Sequence, residues 1–189
     1  MKEKIIGFER FVVRNRPIKK VGLDTDNCLA WIENEKYIPN YKPKIAKRGD
    51  LLYINFKVFG ELMGLLTRDY SDESERRNKI FLFLKRNRIL KIKRNDVDIL
   101  KVQETFENLK KRFKDRDNDL KIISIYYTAG IDCISTNNTK DFKEPCDFLN
   151  ISLDDKPVVE IGSMKDVNMM LKELYKNHPF RRNKKRKRY

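Results

Sequence analysis

Apolar positions along this chain form short continuous runs, separated by longer segments in which they recur at helical spacing. The short runs predict strands because each has a strand's length. The run at 51–54 is so short that it also suits the start of a helix. The expected strands cover residues 21–23, 51–54, 89–92, 131–135 and 158–161, with one more short strand around 11–13.

Stripes of apolar residues three or four positions apart predict the helices. The longest stripe runs through Ile99, Val102, Phe106, Leu109 and Phe113. Either Asn95 or Asp96 is expected to cap that helix. Weaker stripes predict further helices over about 27–32, 58–66 and 80–84, from near Asp119, and from Ser163 to Leu174. Residues 36–50 and 69–79 predict a loop and a polar break, respectively.

Strands that alternate with helices of about ten to eighteen residues favour an α/β fold with a parallel sheet. The chain of 189 residues is most simply one domain with two tails. We expect a basic N-terminal extension over 1–20, the domain over 21–176 and a basic C-terminal tail over 177–189.

Charge adds a preference for a polyanionic partner. Lys and Arg outnumber Asp and Glu by 43 to 28, which gives a formal net charge of +15. The tail contributes seven of these positive charges: Arg181, Arg182, Lys184, Lys185, Arg186, Lys187 and Arg188. Such a tail binds phosphate backbones by releasing condensed counterions, although solubility or targeting tails have the same composition. The internal basic segments 85–88 and 91–94 suit either the border of a substrate groove or a solvated face.

Several kinds of site are disfavoured. The three cysteines form no C-x-x-C pair, so they predict packed, reduced thiols in a cytoplasmic protein rather than a structural zinc site. His178 is the one histidine and adjoins the tail, which argues against catalysis by Ser-His-Asp or Cys-His groups. No apolar run approaches the length of a membrane span, so we expect no association with a membrane.

Three acidic residues stand where a strand ends or a helix begins, and a fourth lies within a predicted helix. Asp24 follows the run at 21–23, Asp119 opens a helix, and Asp141 follows the run at 131–135. Glu61 lies at the edge of the helix stripe 58–66. Carboxylates gathered at the carboxyl edge of a parallel sheet suit a hard divalent cation such as Mg²⁺. Taken singly, Glu61 suits a surface position, Asp119 a helix cap and Asp141 a turn.

Three segments of the chain resemble the PIN domain family, and the resemblance runs from about residue 21 to 153. The segments are LDTDNCL at 23–29, NFKVFGELMGLL at 55–66 and TNNTKDF at 136–142. The resemblance implies a three-layer αβα fold around a parallel sheet. It also implies cleavage of phosphodiester bonds with Mg²⁺ or Mn²⁺, usually in RNA.

By position, the resemblance assigns Asp24, Glu61 and Asp119 as metal ligands and Asp141 as the fourth acid. Some relatives place that fourth acid at the position of Asn138. Thr136 would orient the loop. Asp117 competes with Asp119 for the role of third acid, and Asp26 occupies a place where Asn is more usual.

Three functions follow as hypotheses. The first is a metal-dependent endoribonuclease, whose basic ends hold RNA. The second is a toxin that shares this chemistry and pairs with a protein antitoxin. The third is a domain of the same fold that binds RNA or protein without cleavage. The family often forms homodimers, and a homodimer is therefore an expected partner state.

Overall fold

The computed structural model describes residues 17–38, 41–68 and 71–154. Four sequence predictions lie outside these residues: the strand at 11–13, the strand at 158–161, the helix from Ser163, and the basic tail. Residues 1–16 of the proposed extension and the boundary between the domain and the tail lie outside them as well.

One sheet of five parallel strands forms the centre of the described chain. Its order is β3-β2-β1-β4-β5, and Val21 of β1 pairs with Leu52 of β2 and with Cys133 of β4. The strands are β1 Lys20–Leu23, β2 Leu51–Asn55, β3 Leu90–Ile92, β4 Cys133–Ser135 and β5 Ser152–Asp154. The three-layer αβα architecture expected from the sequence is therefore confirmed, and the ambiguous run at 51–54 is a strand.

Six α-helices connect the strands in the described part of the chain. They are α1 Thr25–Tyr37, α2 Phe56–Leu65, α3 Glu73–Asn87, α4 Ile99–Arg112, α5 Asp117–Thr128 and α6 Thr139–Phe148. Short 3₁₀ turns cover Lys44–Lys47, Leu66–Arg68 and Arg94–Asp96. Right-handed crossovers put α1 to α3 on one face of the sheet and α4 to α6 on the other, because the chain reverses direction across the sheet after β3.

The core lies between the sheet and these two helical layers. Leu23 and Ile54 of the sheet are fully buried, as are Trp31 of α1 and Phe142 of α6. Trp31 meets the ring of Phe83 edge-on at 5.4 Å between centroids, which joins α1 to α3. All three cysteines are buried and free, as the sequence predicted. No helix among residues 17–38, 41–68 and 71–154 has the length and hydropathy needed to cross a membrane.

Several element boundaries differ from the sequence prediction. The break expected over 69–79 is wrong from Glu73 onward, because α3 begins there and not at residue 80. Asp72 caps it by accepting a hydrogen bond from the N–H of Glu75 at 3.1 Å, and the first turns are polar because they are exposed. The helical turns missed this way carry no apolar stripe, so periodicity could not detect them.

The caps of α4 and α5 also differ. Asp98, rather than Asn95 or Asp96, caps α4 by accepting hydrogen bonds from Leu100 and Lys101, because residues 94–96 form a separate 3₁₀ turn. Helix α5 begins at Asp117, two residues before the expected start. Helix α1 extends to Tyr37, into the expected loop, and β5 was not predicted because its three residues contain one apolar side chain.

Candidate acidic site at the carboxyl edge of the sheet

The strand order reverses between the neighbouring strands β1 and β4, and in open α/β sheets the carboxyl ends of two such strands border a crevice. Ligand sites of open α/β sheets form at such a point. Asp24 directly follows β1 and is the N-cap of α1, where one carboxylate oxygen, Oδ1, accepts the N–H of Thr25 at 2.7 Å. The other oxygen, Oδ2, accepts the hydroxyl of Thr136 at 2.7 Å. Asp24 is only 6% exposed, so the crevice holds a nearly buried carboxylate.

Thr136 connects Asp24 to the loop that follows β4. Its hydroxyl donates to Asp24 and accepts the backbone N–H of Asn138 at 3.0 Å. The amide Nδ2 of Asn138 lies 3.5 Å from Oδ2 of Asp119, at the outer limit of a hydrogen bond. The chain of contacts therefore runs from β1 through the 136–138 loop to the first turn of α5.

Glu61 reaches the same region from α2. Its Oε2 accepts the hydroxyl of Thr25 at 2.5 Å, and its Oε1 lies 3.3 Å from Nζ of Lys57. The threonine that follows Asp24 thus has a specific partner on another helix. Glu61 is half-buried rather than a free surface residue, which the sequence had left open.

Asp119 and Asp141 stand in the first turns of α5 and α6. The carboxylate of Asp141 lies 3.4 Å from Nε of Arg116, and Nη1 of Arg116 donates to the backbone carbonyl of Asp141 at 3.3 Å. Asp117, in contrast, pairs with Lys110 at 2.8 Å in an exposed position. In this arrangement Asp119 faces the other acids, whereas Asp117 has a separate cationic partner.

Asp26 is a fifth acid in the crevice. Its Oδ2 accepts the backbone N–H of Asn137 at 2.9 Å, which ties the first turn of α1 to the loop after β4. Its other oxygen, Oδ1, is buried and has no partner of good hydrogen-bond geometry in the described part of the chain. The N–H groups of Asn27 and Asn138 and the Asp24 carboxyl nevertheless lie close enough to lower the pKa of Asp26 against the effect of burial. An unpaired buried carboxylate oxygen is unfavourable unless a donor or a cation reaches it.

The pKa values of these acids reflect their crowding. Burial, followed by repulsion from Asp26, raises the pKa of Asp24 to about 7, despite the hydrogen bonds from Thr136 and Thr25. Burial is also the main reason that the pKa of Asp26 is raised. The pKa of Asp119 is raised by burial and then by the charges of Asp141 and Glu61, against the lowering effect of Arg116. The charge of each carboxylate therefore affects the pKa values of its neighbours.

The donor set suits a hard divalent cation, which takes oxygen ligands. The unpaired oxygen of Asp26 and the mutual repulsion of the acids are the features that a cation would relieve. In residues 17–38, 41–68 and 71–154, however, no group of three or more Asp, Glu, His or Cys residues is already arranged to hold a metal ion. Glu61 is held by Thr25 and Lys57, so its carboxylate would have to turn away from these partners to join a shared coordination shell.

Tyr126 fixes the position of α5 against the sheet. It is fully buried, and its hydroxyl donates to the carbonyl of Leu23, the residue before Asp24, at 2.5 Å. Its ring occupies the space next to Gly22, where an added Cβ would lie 2.8 Å from ring atoms. Tyr126 and Asp119 are seven residues apart and so share a face of α5. The contact thus sets how closely Asp119 approaches the end of β1.

Sequence reasoning missed the residues that organise the acids. Arg116 and Tyr126 act through contacts with residues 25 and 103 positions away, and no local motif marks them. Asn55 was also missed: it caps α2 through Oδ1 and donates from Nδ2 to the carbonyl of Ile122 at 3.3 Å. Its place at the start of a predicted helix was the one signal that could have identified it.

Comparison with known proteins gives similar solved structures but no family or curated match. No protein-family model matches the chain, and no curated protein matches it. A structure of VapBC2 from Rickettsia felis, bound to a DNA fragment from their promoter, is similar at 21% identity. The similarity covers 71% of this chain and 97% of that one, with a TM-score of 0.49.

Two further structures are similar. VapBC-1 from nontypeable Haemophilus influenzae has 20% identity over 72% of this chain and 97% of that one, with a TM-score of 0.49. A toxin–antitoxin complex from Klebsiella pneumoniae has 17% identity over 65% and 89% of the two chains, with a TM-score of 0.42. The topology on its own matches the architecture that the sequence resemblance implied: a parallel five-stranded sheet between two helical layers, with acids at its carboxyl edge. The described part of this chain therefore has the three-layer αβα fold that the resemblance to the PIN domain family implies.

Proposed function

We propose that this protein is a metal-dependent endoribonuclease, in which Asp24, Glu61, Asp119 and Asp141 hold Mg²⁺ or Mn²⁺. The observation that carries the proposal is the proximity of acids from separate elements: the charges of Asp141 and Glu61 raise the pKa of Asp119 after burial, and Asp119 adds to the effects of burial and Asp26 that raise the pKa of Asp24 to about 7. Acids that served only as helix caps would have no reason to be gathered where they repel each other.

A bound cation lowers the pKa of a water molecule and neutralises charge on the phosphate under attack. The protein's own groups prepare the site. Thr136 orients the carboxylate of Asp24, and Thr25 orients that of Glu61. Arg116 offsets the charge of Asp141 and restricts its motion. Lys57, beside Glu61, adds a positive charge where the phosphate backbone would approach.

The overall charge supports RNA as the substrate. A net charge of +15 attracts a polyanion from a distance. The tail residues, among them Arg181 and Arg188, would contribute affinity that depends on salt and little on base sequence. In this proposal the domain spans about 21–176, and the two basic ends serve as electrostatic arms.

The most direct test compares two aspartates only two positions apart. Asp119→Asn is expected to abolish RNA cleavage in Mn²⁺, because it removes a ligand. Asp117→Asn is the matched control and is expected to retain cleavage, because Asp117 pairs with Lys110. Asp24→Asn should behave like Asp119→Asn. Undiminished cleavage by either of these two variants would refute the assignment of the site.

The cellular role as a toxin is a second proposal with the same chemistry. One of the similar structures described above is a toxin–antitoxin complex from Klebsiella pneumoniae. A toxin would pair with a protein antitoxin, and growth arrest on expression would be relieved by Asp24→Asn. A domain that binds without cleavage would show no Mn²⁺ binding by calorimetry at millimolar concentration and would retain RNA binding.

A further inference from the structure

A groove with an apolar floor lies between the start of α2 and the helices α4 and α5. Phe56, Ile99 and Val102 contribute to its floor, and the groove encloses about 170 Å³. This volume corresponds to roughly six water molecules at their liquid density. Phe56 and Val102 are only half-buried and Ile99 is exposed, so the floor presents apolar surface to solvent.

The rim of the groove is cationic. It is formed by Lys57 of α2, Arg94 of the 3₁₀ turn and Lys121 of α5, and no acidic side chain among the described residues lines it. Arg94 and Lys121 are exposed. Arg94 belongs to the basic segment 91–94, which the sequence offered either as the border of a substrate groove or as a solvated face.

The groove adjoins the acidic site through a shared residue. Lys57 lines the groove, and its Nζ lies 3.3 Å from Oε1 of Glu61. A phosphate held near the acids would therefore have a neighbouring nucleotide at the mouth of the groove. The combination of cations at the rim with an apolar floor matches the two parts of a nucleotide, an anionic phosphate and a flat base.

We propose that this groove binds one nucleotide of single-stranded RNA, next to the bond that is cut. The base lies on Phe56 and Val102, and the adjoining phosphates contact Arg94 and Lys121. The proposal rests on the proposed function for the identity of its ligand. Its test measures binding without cleavage, so failure of the nuclease assignment and failure of the groove assignment give different results.

The experiment uses the full chain with Asp24→Asn, which prevents cleavage, and fluorescence anisotropy. The probes are fluorescein-labelled oligouridylate and an abasic oligomer of the same length. Adding Arg94→Glu and Lys121→Glu is expected to weaken oligouridylate binding by about tenfold or more. The salt slope, which is the slope of log affinity against log salt concentration, should fall in magnitude by about 1.4, the value for two phosphate contacts on a single strand. The charge-matched control adds Lys85→Glu and Lys111→Glu, two exposed positions outside the groove, and should have a much smaller effect.

The base contact is tested with Val102→Asn at a half-buried position of the floor, and thermal unfolding of this variant checks that the fold is kept. It is expected to weaken binding of oligouridylate about threefold or more while binding of the abasic oligomer and the salt slope stay unchanged. If the groove variant and the charge-matched control lose the same affinity for oligouridylate, the loss comes from net charge alone and the proposal is overturned. Unchanged RNA binding in the groove variants would also overturn it and leave the groove to another ligand, such as a peptide. Equal affinity of the Asp24→Asn protein for the two oligomers would exclude a base site.

Discussion

Replacement of Asp24 by Asn should stabilise the metal-free protein at alkaline pH, although it should remove activity. Asp24 is 6% exposed, and burial and the charge of Asp26 raise its pKa from 3.8 to about 7. Between these two pH values the folded state binds more protons than the unfolded state, so this group's contribution to stability falls as the pH rises. Above pH 7 Asp24 is ionised in both states, and it then destabilises the folded protein by the full amount.

The magnitude follows from the shift. A displacement of about three pKa units corresponds to about 4 kcal/mol of unfavourable free energy for the ionised carboxylate. Asparagine can still accept the N–H of Thr25, but its amide would face the hydroxyl of Thr136, and the loss of that hydrogen bond costs about 1 kcal/mol. The net expected gain is about 3 kcal/mol, which raises the Tm of a chain of this size by roughly 6–12 °C.

The assay is thermal unfolding of the wild type and the variant in EDTA at pH 4 and pH 8. The variant should be more stable at pH 8. Near pH 4 the advantage should disappear, because folded Asp24 is then protonated in the wild type. At saturating Mn²⁺ the wild type should be more stable than the variant, since a ligand stabilises only the protein that binds it. Asp117→Asn, which changes an exposed aspartate paired with Lys110, is the control.

A variant that is no more stable than the wild type at pH 8 in EDTA would refute the reasoning. It would mean that burial and the charge of Asp26 do not make ionised Asp24 unfavourable enough to need a cation. The same result would remove the observation on which the nuclease proposal depends.

Three further predictions concern the anchor of α5 and the tail. Tyr126→Phe should lose about 1 kcal/mol of stability in urea unfolding and should also weaken Mn²⁺ binding in calorimetry, whereas a solely structural tyrosine would leave Mn²⁺ affinity unchanged. Gly22→Ala should cost about 1–3 kcal/mol by crowding the Tyr126 ring, while Gly60→Ala, a helical position with nothing within 4 Å of an added Cβ, should be neutral or slightly stabilising in the same assay. Deletion of residues 181–189 should reduce the salt dependence of RNA binding by up to about 0.7 per lost phosphate contact without changing the catalytic step at saturating RNA, and an unchanged slope would assign the tail another task.

The prediction of the site from sequence depended on local order. Asp24 was recognisable because an apolar run ends directly before it, and this is how the edge of a parallel sheet appears in a sequence. Asp119 and Asp117 were not distinguishable, because both fall in the first turn of one helix. Only the packing of α4 beside α5, which brings Lys110 to Asp117, separates them.

The misreading of α3 has a different cause. Its first turns are exposed on all sides and carry polar residues, so they contain none of the periodicity on which the prediction relied. The cap at Asp72 was a usable signal, yet it stands among other acidic and polar residues that look alike in sequence. Short β5 was missed for a similar reason, since edge strands need few apolar residues.

By itself the sequence determined the parallel α/β class, the positions of most strands, the buried thiols and the candidate acids. These features follow from the pattern of apolar and polar residues within short segments of the chain. The convergence of the acids was decided by tertiary structure alone, because it depends on strand order and on contacts between residues more than a hundred positions apart, such as Thr136 with Asp24 and Tyr126 with Leu23. Strand order is set by which helices pack on which face, and no single segment of the chain contains that information.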